Sequence, residues 1–338
     1  MLMNRTEVLL AGITPDMIGI EVAPYHSPLV PKSEGFNSLS LDMFDTQKLK
    51  RLAAEDPNVQ NDHIHRIEEV DFVGSACEID ALVCQHPSCG EFDYVISSHN
   101  FEHLPDPIRF LQGCSKVLKD GGRLIMAIPD KRACFDYFRP HTQLSDWLEA
   151  FFEKRAAPKP SQVFSSQTLF SALRHGRENQ YAFFLYQDTN NMVATKSIHE
   201  NFKKWEEASA EYCDAHCSLL TPNIFRLLLE EVAFLGLHEF RINKVSETNG
   251  HEFYVELIKD KEYHLEATEF DSMRNSLLLK IQSDLAFNAP TSLQSRAAAE
   301  LQAHYAGVQR SIAFKLLRPI LHTSRRFRKF NKAMQREF

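Results

Sequence analysis

Over the first 130 positions, short apolar runs alternate with polar, helix-forming stretches, and the alternation predicts strands and helices in turn. In MIGIEVAPYHSPL, Ile18, Ile20 and Val22 predict a first strand that breaks at Pro24. FNSLSLDMF predicts a second, ending near Asp42, with a helix over TQKLKRLAAED behind it. IEEVDFV, around Asp71, predicts a short third. FDYVISSH, Phe92 to His99, is almost continuously apolar, which predicts a strand buried on both faces. DPIRFLQGCSKVLKDGG predicts an amphipathic helix with Ile108, Leu111, Val117 and Leu118 as its stripe, stopped by Gly121-Gly122. RLIMAIPD predicts a fifth strand, ended by Pro129.

From about Arg139 to Cys217 the pattern changes. Aromatics and histidines crowd the segment, and Pro158 and Pro160 interrupt it. SQTLFSALRHG and IHENFKKWEEASAEY predict helices, so the segment reads as an inserted cap. TPNIFRLLLEEVAFLGL then predicts a helix with Thr221 as N-cap, Pro222 at its first position and Gly236 at its end. HEFRINKV and EFYVELIK, joined through Asn249-Gly250, predict a closing antiparallel pair. The expected fold is α/β, a mostly parallel sheet with an antiparallel C-terminal hairpin, an inserted helical cap and a helical tail. The expected division is a core of residues 1–140 and 218–260, a cap of 141–217 and a tail of 261–338.

Composition narrows the classes. The formal net charge of −7 carries no nucleic-acid signature, and no apolar run reaches the roughly 18 residues that span a bilayer. The N-terminal MLMNRTEVLLAG shows no secretory pattern, and seven cysteines form no disulfide framework. A cytoplasmic protein with reduced thiols is expected. The tail differs from the rest. Arg325, Arg326, Arg328 and Lys329 interleave with Phe327 and Phe330, an amphipathic basic pattern suited to the inner membrane surface or to a partner such as a glycosyltransferase.

FDYVISSHNFEHLPDPIRFLQGCSKVLKDGGRLIMAIPDKR, with its Glu-His-Leu turn and helix-Gly-Gly-strand, resembles the class I S-adenosylmethionine-dependent methyltransferases. The resemblance covers roughly residues 15–140 and 215–260 of a Rossmann-like sheet. A narrower subgroup, found with glycan and surface-polysaccharide enzymes, is similar in Glu21-Val22-Ala23-Pro24 with Pro31-Lys32, in Pro129-Asp130-Lys131-Arg132, and in Tyr212-Cys213-Asp214-Ala215-His216 before Thr221-Pro222.

The resemblance implies S-adenosylmethionine as cofactor and a sugar or glycan hydroxyl as methyl acceptor. It implies Glu21, Ala23 and Pro24 at the methionine end, Asp42 on the ribose with Asp45 as its competitor, and Asp71 and Phe72 around the adenine with Asp80 as an alternative acid. Ser97, Ser98 and His99 would end the fourth strand against the methionine part. A hydroxyl acceptor needs a proton acceptor, and His216, oriented by Asp214, is expected in that role, with His99 and His103 as neighbours. Asp130 and Arg132 are expected to hold the acceptor. The first turn lacks glycine. If a left-handed backbone is needed there, Ala23 costs about 1–2 kcal/mol. No metal is expected: Cys77, Cys84, His86 and Cys89 lack a zinc knuckle's spacing, Cys213, His216 and Cys217 are no better, and nothing demands an ion on SHNFEH. The rival functions are an NAD-dependent oxidoreductase, disfavoured by the missing G-x-G-x-x-G, and a non-catalytic scaffold.

Overall fold

A computed structural model describes residues 4–57, 59–185, 187–206 and 213–287. Residues 1–282 form one compact unit and 283–338 a second. Of the second, 283–287 are described, as the end of a helix, so the basic tail predicted from the sequence lies outside the described residues, as does Tyr212.

The elements run α1 (Arg5–Leu9), β1 (Ile18–Val22), β2 (Asn37–Asp42), α2 (Thr46–Glu55), α3 (Asn61–Ile64), β3 (Phe72–Val73), α4 (Ile79–Val83), β4 (Phe92–Ser98), α5 (Pro107–Val117) and β5 (Leu118–Pro129). There follow α6 (Leu144–Glu153), α7 (Pro160–Thr168), β6 (Ser171–His175), β7 (Glu178–Gln180), β8 (Met192–Ala194), α8 (Ile198–Glu206), α9 (Pro222–Phe234), β9 (Phe240–Val245), β10 (Glu252–Lys259) and α10 (Ala267–Phe287).

The main sheet has the order β3-β2-β1-β4-β5-β10-β9. Its first five strands are parallel, and β10 runs antiparallel to both β5 and β9. This is the expected Rossmann-like, mostly parallel sheet with its antiparallel end. Strand order reverses between β1 and β4, which opens a crevice at their carboxyl ends. The apolar runs dictate that centre: Ile20, Tyr94, Val95 and Ile96 are fully buried. Gly19 is fixed by packing, since a Cβ there would lie 2.0 Å from the Tyr94 ring.

Thr221 caps its helix as expected, and Asp106 caps another. Asp106 accepts from the Arg109 amide at 3.0 Å with Pro107 at the first position of α5, and Thr221 accepts from the Ile224 amide at 3.3 Å to start α9. Two expectations fail in detail. Helix α5 ends at Val117 rather than at the glycine pair, because Leu118 already pairs with Phe92 as the first residue of β5. The inserted segment is not wholly helical. SQTLFSALRHG splits into the end of α7 and strand β6, whose flanking bonds, Ser171 N to Phe135 O at 2.9 Å and pairing with β7 and β8, build a three-stranded antiparallel sheet.

The insertion is tied to the core near the crevice. Phe101 makes edge contacts with Trp147 of α6 and Phe225 of α9. The Glu102 carbonyl accepts from both the Cys217 and Ser218 amides, at 2.6 and 3.0 Å. Two segments distant in sequence, 101–103 and 216–218, are therefore joined backbone to backbone.

Candidate active site

A cavity of about 310 Å³ opens at the carboxyl ends of β1, β2 and β4. Val22, Ala23, Asp42, Met43, Gly74, Ser75, Ala76, His99, Asn100, His103 and Asp214 are among its lining residues. Its size falls within the range of small-molecule sites. Ala23, on its rim, has φ 53°, and its amide donates to the Leu41 carbonyl at 2.8 Å. The turn thus takes the left-handed conformation that glycine adopts freely, and Ala23 holds it against a cost of about 1–2 kcal/mol. Tyr25 has φ 46° as well. Its ring does not line the cavity but packs on Leu49, Ala53 and Ile67 beneath α2.

Of the residues expected around the cofactor, the structure brings Ala23 and Asp42 to the cavity. Asp42 ends β2, accepts from the Phe44 amide at 3.2 Å, and has its pKa raised by burial. Asp45 is instead the N-cap of α2, accepting from the Lys48 amide at 2.8 Å. The other expected residues point elsewhere. Glu21 is 4% exposed and accepts from the Leu29 and Val30 amides at 2.8 and 3.1 Å, so it closes the loop after β1 rather than facing the cavity. Burial pushes its pKa up to about 7, against those two hydrogen bonds. Pro24 lies off the cavity wall. Asp71 is held by Lys32 at 2.5 Å and by the Ser40 amide at 2.7 Å, and half-buried Phe72 faces His86. Asp80 pairs with Lys116 at 2.5 Å. Gly74, Ser75 and Ala76, just past β3, line the cavity instead. Ser97 accepts from the Asn100 side chain at 3.2 Å and Ser98 from Arg5, and it is His99 and Asn100 that reach the cavity.

On the opposite side, four expected assignments change. His216 does not pair with Asp214. Its Nδ1 lies 2.5 Å from Asp136 Oδ2, and Asp136 also accepts from Arg139 at 2.6 Å. Burial would raise the Asp136 pKa, but the His216 hydrogen bond and the Arg139 charge outweigh it and hold the carboxyl low. Asp214 pairs with His103 Nδ1 at 3.0 Å. His99 is no base. Burial would lower its pKa, but pairing with Glu102 and with Glu252, 2.7 Å from Nε2, raises it to about 9, so the ring is cationic at neutral pH. Asp130 and Arg132 are buried and bound to each other at 2.6 Å, with Thr248 also donating to Asp130. They staple the end of β5 and are not placed to take an acceptor.

Glu102 is the glutamate of SHNFEH, for which the sequence offers only an ion that nothing there demands. It is 1% exposed, and its Oε2 has no hydrogen-bond partner. Burial would raise its pKa, but His99, His216 and His103 around it keep it low. The His103 and His216 rings meet edge to face, 4.5 Å between centroids. The expected cysteine chemistry is also corrected, since Cys84 and Cys89 form a disulfide, while Cys77, Cys114, Cys134, Cys213 and Cys217 are free.

Residues 46–126 match the family described as a methyltransferase domain. The matched stretch runs from α2 into β5 and includes Gly74–Ala76 and the His99–His103 turn, but not Ala23 or Asp42. No curated protein matches the chain. Among solved structures, a methyltransferase from Methanosarcina mazei is similar at 12% identity, over 78% of this chain and 100% of that one, with a TM-score of 0.34. A possible histamine N-methyltransferase from Thermotoga maritima is similar at 13% identity, over 75% and 87%, with a TM-score of 0.34. A glycopeptide N-methyltransferase complexed with S-adenosylmethionine is similar at 11% identity, over 75% and 92%, with a TM-score of 0.36. Overlaps this loose say nothing about substrate. The matched stretch lies within the Rossmann-like sheet and makes this region similar to a methyltransferase domain.

Proposed function

We propose that this domain transfers the methyl group of S-adenosylmethionine to a hydroxyl of a sugar or glycan intermediate. The observation that carries the reading is one cavity bounded on its donor side by Ala23, Asp42 and Gly74–Ala76 and on its other side by His103. S-adenosylmethionine has no phosphate, so it requires close backbone approach and a ribose acceptor rather than an anion cradle. Ala23 and Asp42 supply these. The donor's sulfonium methyl then faces the Glu102–His103–His216 cluster, which activates the acceptor hydroxyl. In-line placement of the two reactants supplies much of the rate.

The hydroxyl acceptor is supported by that cluster, since an oxygen nucleophile must lose a proton. The sugar is supported by exposed rings in the inserted segment, among them Phe152, Tyr181, Phe184 and Trp205, which offer flat apolar faces to a sugar ring. No helix among the described residues is long and apolar enough to cross a membrane. We assign the basic tail, from its sequence alone, to an anionic membrane surface or a glycosyltransferase partner, and the site of action to the cytoplasmic side.

Calorimetry of the full chain with S-adenosylmethionine and with NAD tests the reading. Binding of the first alone is expected. Binding of neither would favour a non-catalytic scaffold, and binding of NAD alone an oxidoreductase. The acceptor is then sought by screening oligosaccharides and sugar nucleotides for methyl transfer.

A further inference from the structure

We infer that Glu102, His103 and His216 form a site for one divalent transition-metal ion beside the cofactor cavity. Each of the three offers a ligand atom, and these atoms lie within 4.8 Å of one another. Glu102 Oε1 is 3.9 Å from His103 Nε2. Two atoms bound to one ion at about 2.1 Å sit about 3–4 Å apart. Small side-chain rotations therefore bring the cluster into coordination.

The surroundings have the form of a metal site rather than of a chance cluster. Each imidazole is held by a carboxylate on its Nδ1: His216 by Asp136 and His103 by Asp214. Metal-binding histidines are oriented in this way, with the other nitrogen turned to the ion. Asp136 is itself fixed by Arg139. Glu102 supplies an independent sign. The His99 ring reaches its Oε1 at 3.6 Å, but its Oε2 is buried without any hydrogen-bond partner, which leaves one oxygen of the carboxylate unsatisfied, at a cost a further cation would relieve. The backbone bonds from Cys217 and Ser218 to the Glu102 carbonyl hold the two ligand-bearing segments together in advance.

Two imidazoles and one carboxylate suit Zn²⁺, Mn²⁺ or Fe²⁺ and leave coordination positions open. His103 lines the cavity, so the open positions lie at its edge. This deepens the proposed function and rests on it for the role of the ion. Two adjacent hydroxyls of a sugar would fill the open positions, and the ion would lower the pKa of the bound hydroxyl, whose proton leaves to water. The alkoxide oxygen then forms a bond to the methyl carbon as the carbon–sulfur bond breaks. Its electron pair goes to sulfur, leaving a neutral thioether.

The test is calorimetric titration of the chelator-stripped full chain with ZnCl2 and with MnCl2, beside a titration with S-adenosylmethionine. One ion per chain is expected. Glu102→Gln is expected to weaken it about 100-fold, and Asp136→Asn about 10–100-fold through His216. His251→Ala, in the neighbouring His99–Glu252 cluster, is expected to leave it unchanged. Circular dichroism checks each fold, and His103→Gln replaces Glu102→Gln if the latter does not fold. Absence of ion binding, or ion binding indifferent to these ligand changes, overturns the inference. If S-adenosylmethionine still binds in that case, the methyltransferase reading stands without the metal. If it does not, that reading fails too.

Discussion

Asp136 Oδ2 lies 2.5 Å from His216 Nδ1, and both side chains are buried. Asp214, two residues from His216, is half exposed and serves His103 instead. The buried carboxylate fixes its ring more firmly, because water does not compete for it. Asp136→Asn is therefore expected to lower turnover about 10–100-fold while leaving S-adenosylmethionine affinity within about twofold. Asp214→Asn is expected to cost less than about tenfold. Steady-state kinetics beside donor titrations measure both. The Asp136→Asn variant also leaves Arg139 with a weaker partner, so rates are compared well below its melting temperature. Equal effects of the two substitutions would remove the distinction between the pairs.

Asp42 is the acid that β2 delivers to the cavity. A hydrogen bond to an ionised group contributes about 1.5–3 kcal/mol. Asp42→Asn should raise the dissociation constant for S-adenosylmethionine roughly 10–100-fold. Asp45→Asn changes only a helix cap, for which asparagine is an adequate substitute, and should leave that constant unmoved. Isothermal titration of the two variants decides between these acids.

Ala23 occupies left-handed backbone at φ 53°. Glycine relieves that strain, about 1–2 kcal/mol, but adds freedom to the unfolded chain. The net expectation for Ala23→Gly is a gain of up to about 1 kcal/mol, or about 2–4 °C in melting temperature. Donor affinity should hold or improve, since a methyl group leaves the cavity wall. A lower melting temperature would mean that the turn relaxes out of this conformation in solution.

The sheet is legible in the sequence because its signals are local. Period-two apolar runs, the Thr221-Pro222 cap and the Asn249-Gly250 turn each act within a few residues. The place of Asp42 at the cavity is legible for the same reason, as an acid ending a strand. What the sequence hides is non-local. Asp136 and His216 are 80 positions apart, and no spacing rule joins them, whereas the nearby Asp214 invites a false pairing. Glu21 and Asp71 resemble cofactor ligands because acids at strand ends often are. Only the tertiary fold shows Glu21 spent on the Leu29 and Val30 amides and Asp71 on Lys32 and Ser40. Strand β6 is hidden because one helix-like string spans both α7 and β6, and only its partners β7 and β8 reveal the break.

His99 gives a pH dependence of known sign. Its folded pKa, about 9, lies above the ordinary histidine value of 6.5, because Glu102 and Glu252 outweigh the burial that would lower it. The stabilisation is complete below about pH 6.5 and is lost as pH rises through 9. His99→Asn keeps a residue that tolerates the left-handed φ of 50° at this position but removes the charge. Melting curves from pH 6 to 10 should show the wild type more stable at the acid end, with the difference closing by about pH 9. A gap constant across that range would place the proton elsewhere.

Glu21 titrates in a lower window, and its sign is less obvious. Its folded pKa, about 7, exceeds its unfolded value of about 4.5, so the folded state holds the proton more tightly. Its contribution is complete below about pH 4.5 and fades as pH climbs through 7, by up to about 3 kcal/mol. Glu21→Gln cannot titrate, and its amide oxygen accepts from only one of the two loop amides, Leu29 or Val30. The variant should therefore be less stable than wild type near pH 5, and the deficit should narrow or reverse by pH 8. Chemical denaturation at several pH values measures it. A difference independent of pH would show that Glu21 is ionised throughout, held charged by the Leu29 and Val30 amides despite its burial.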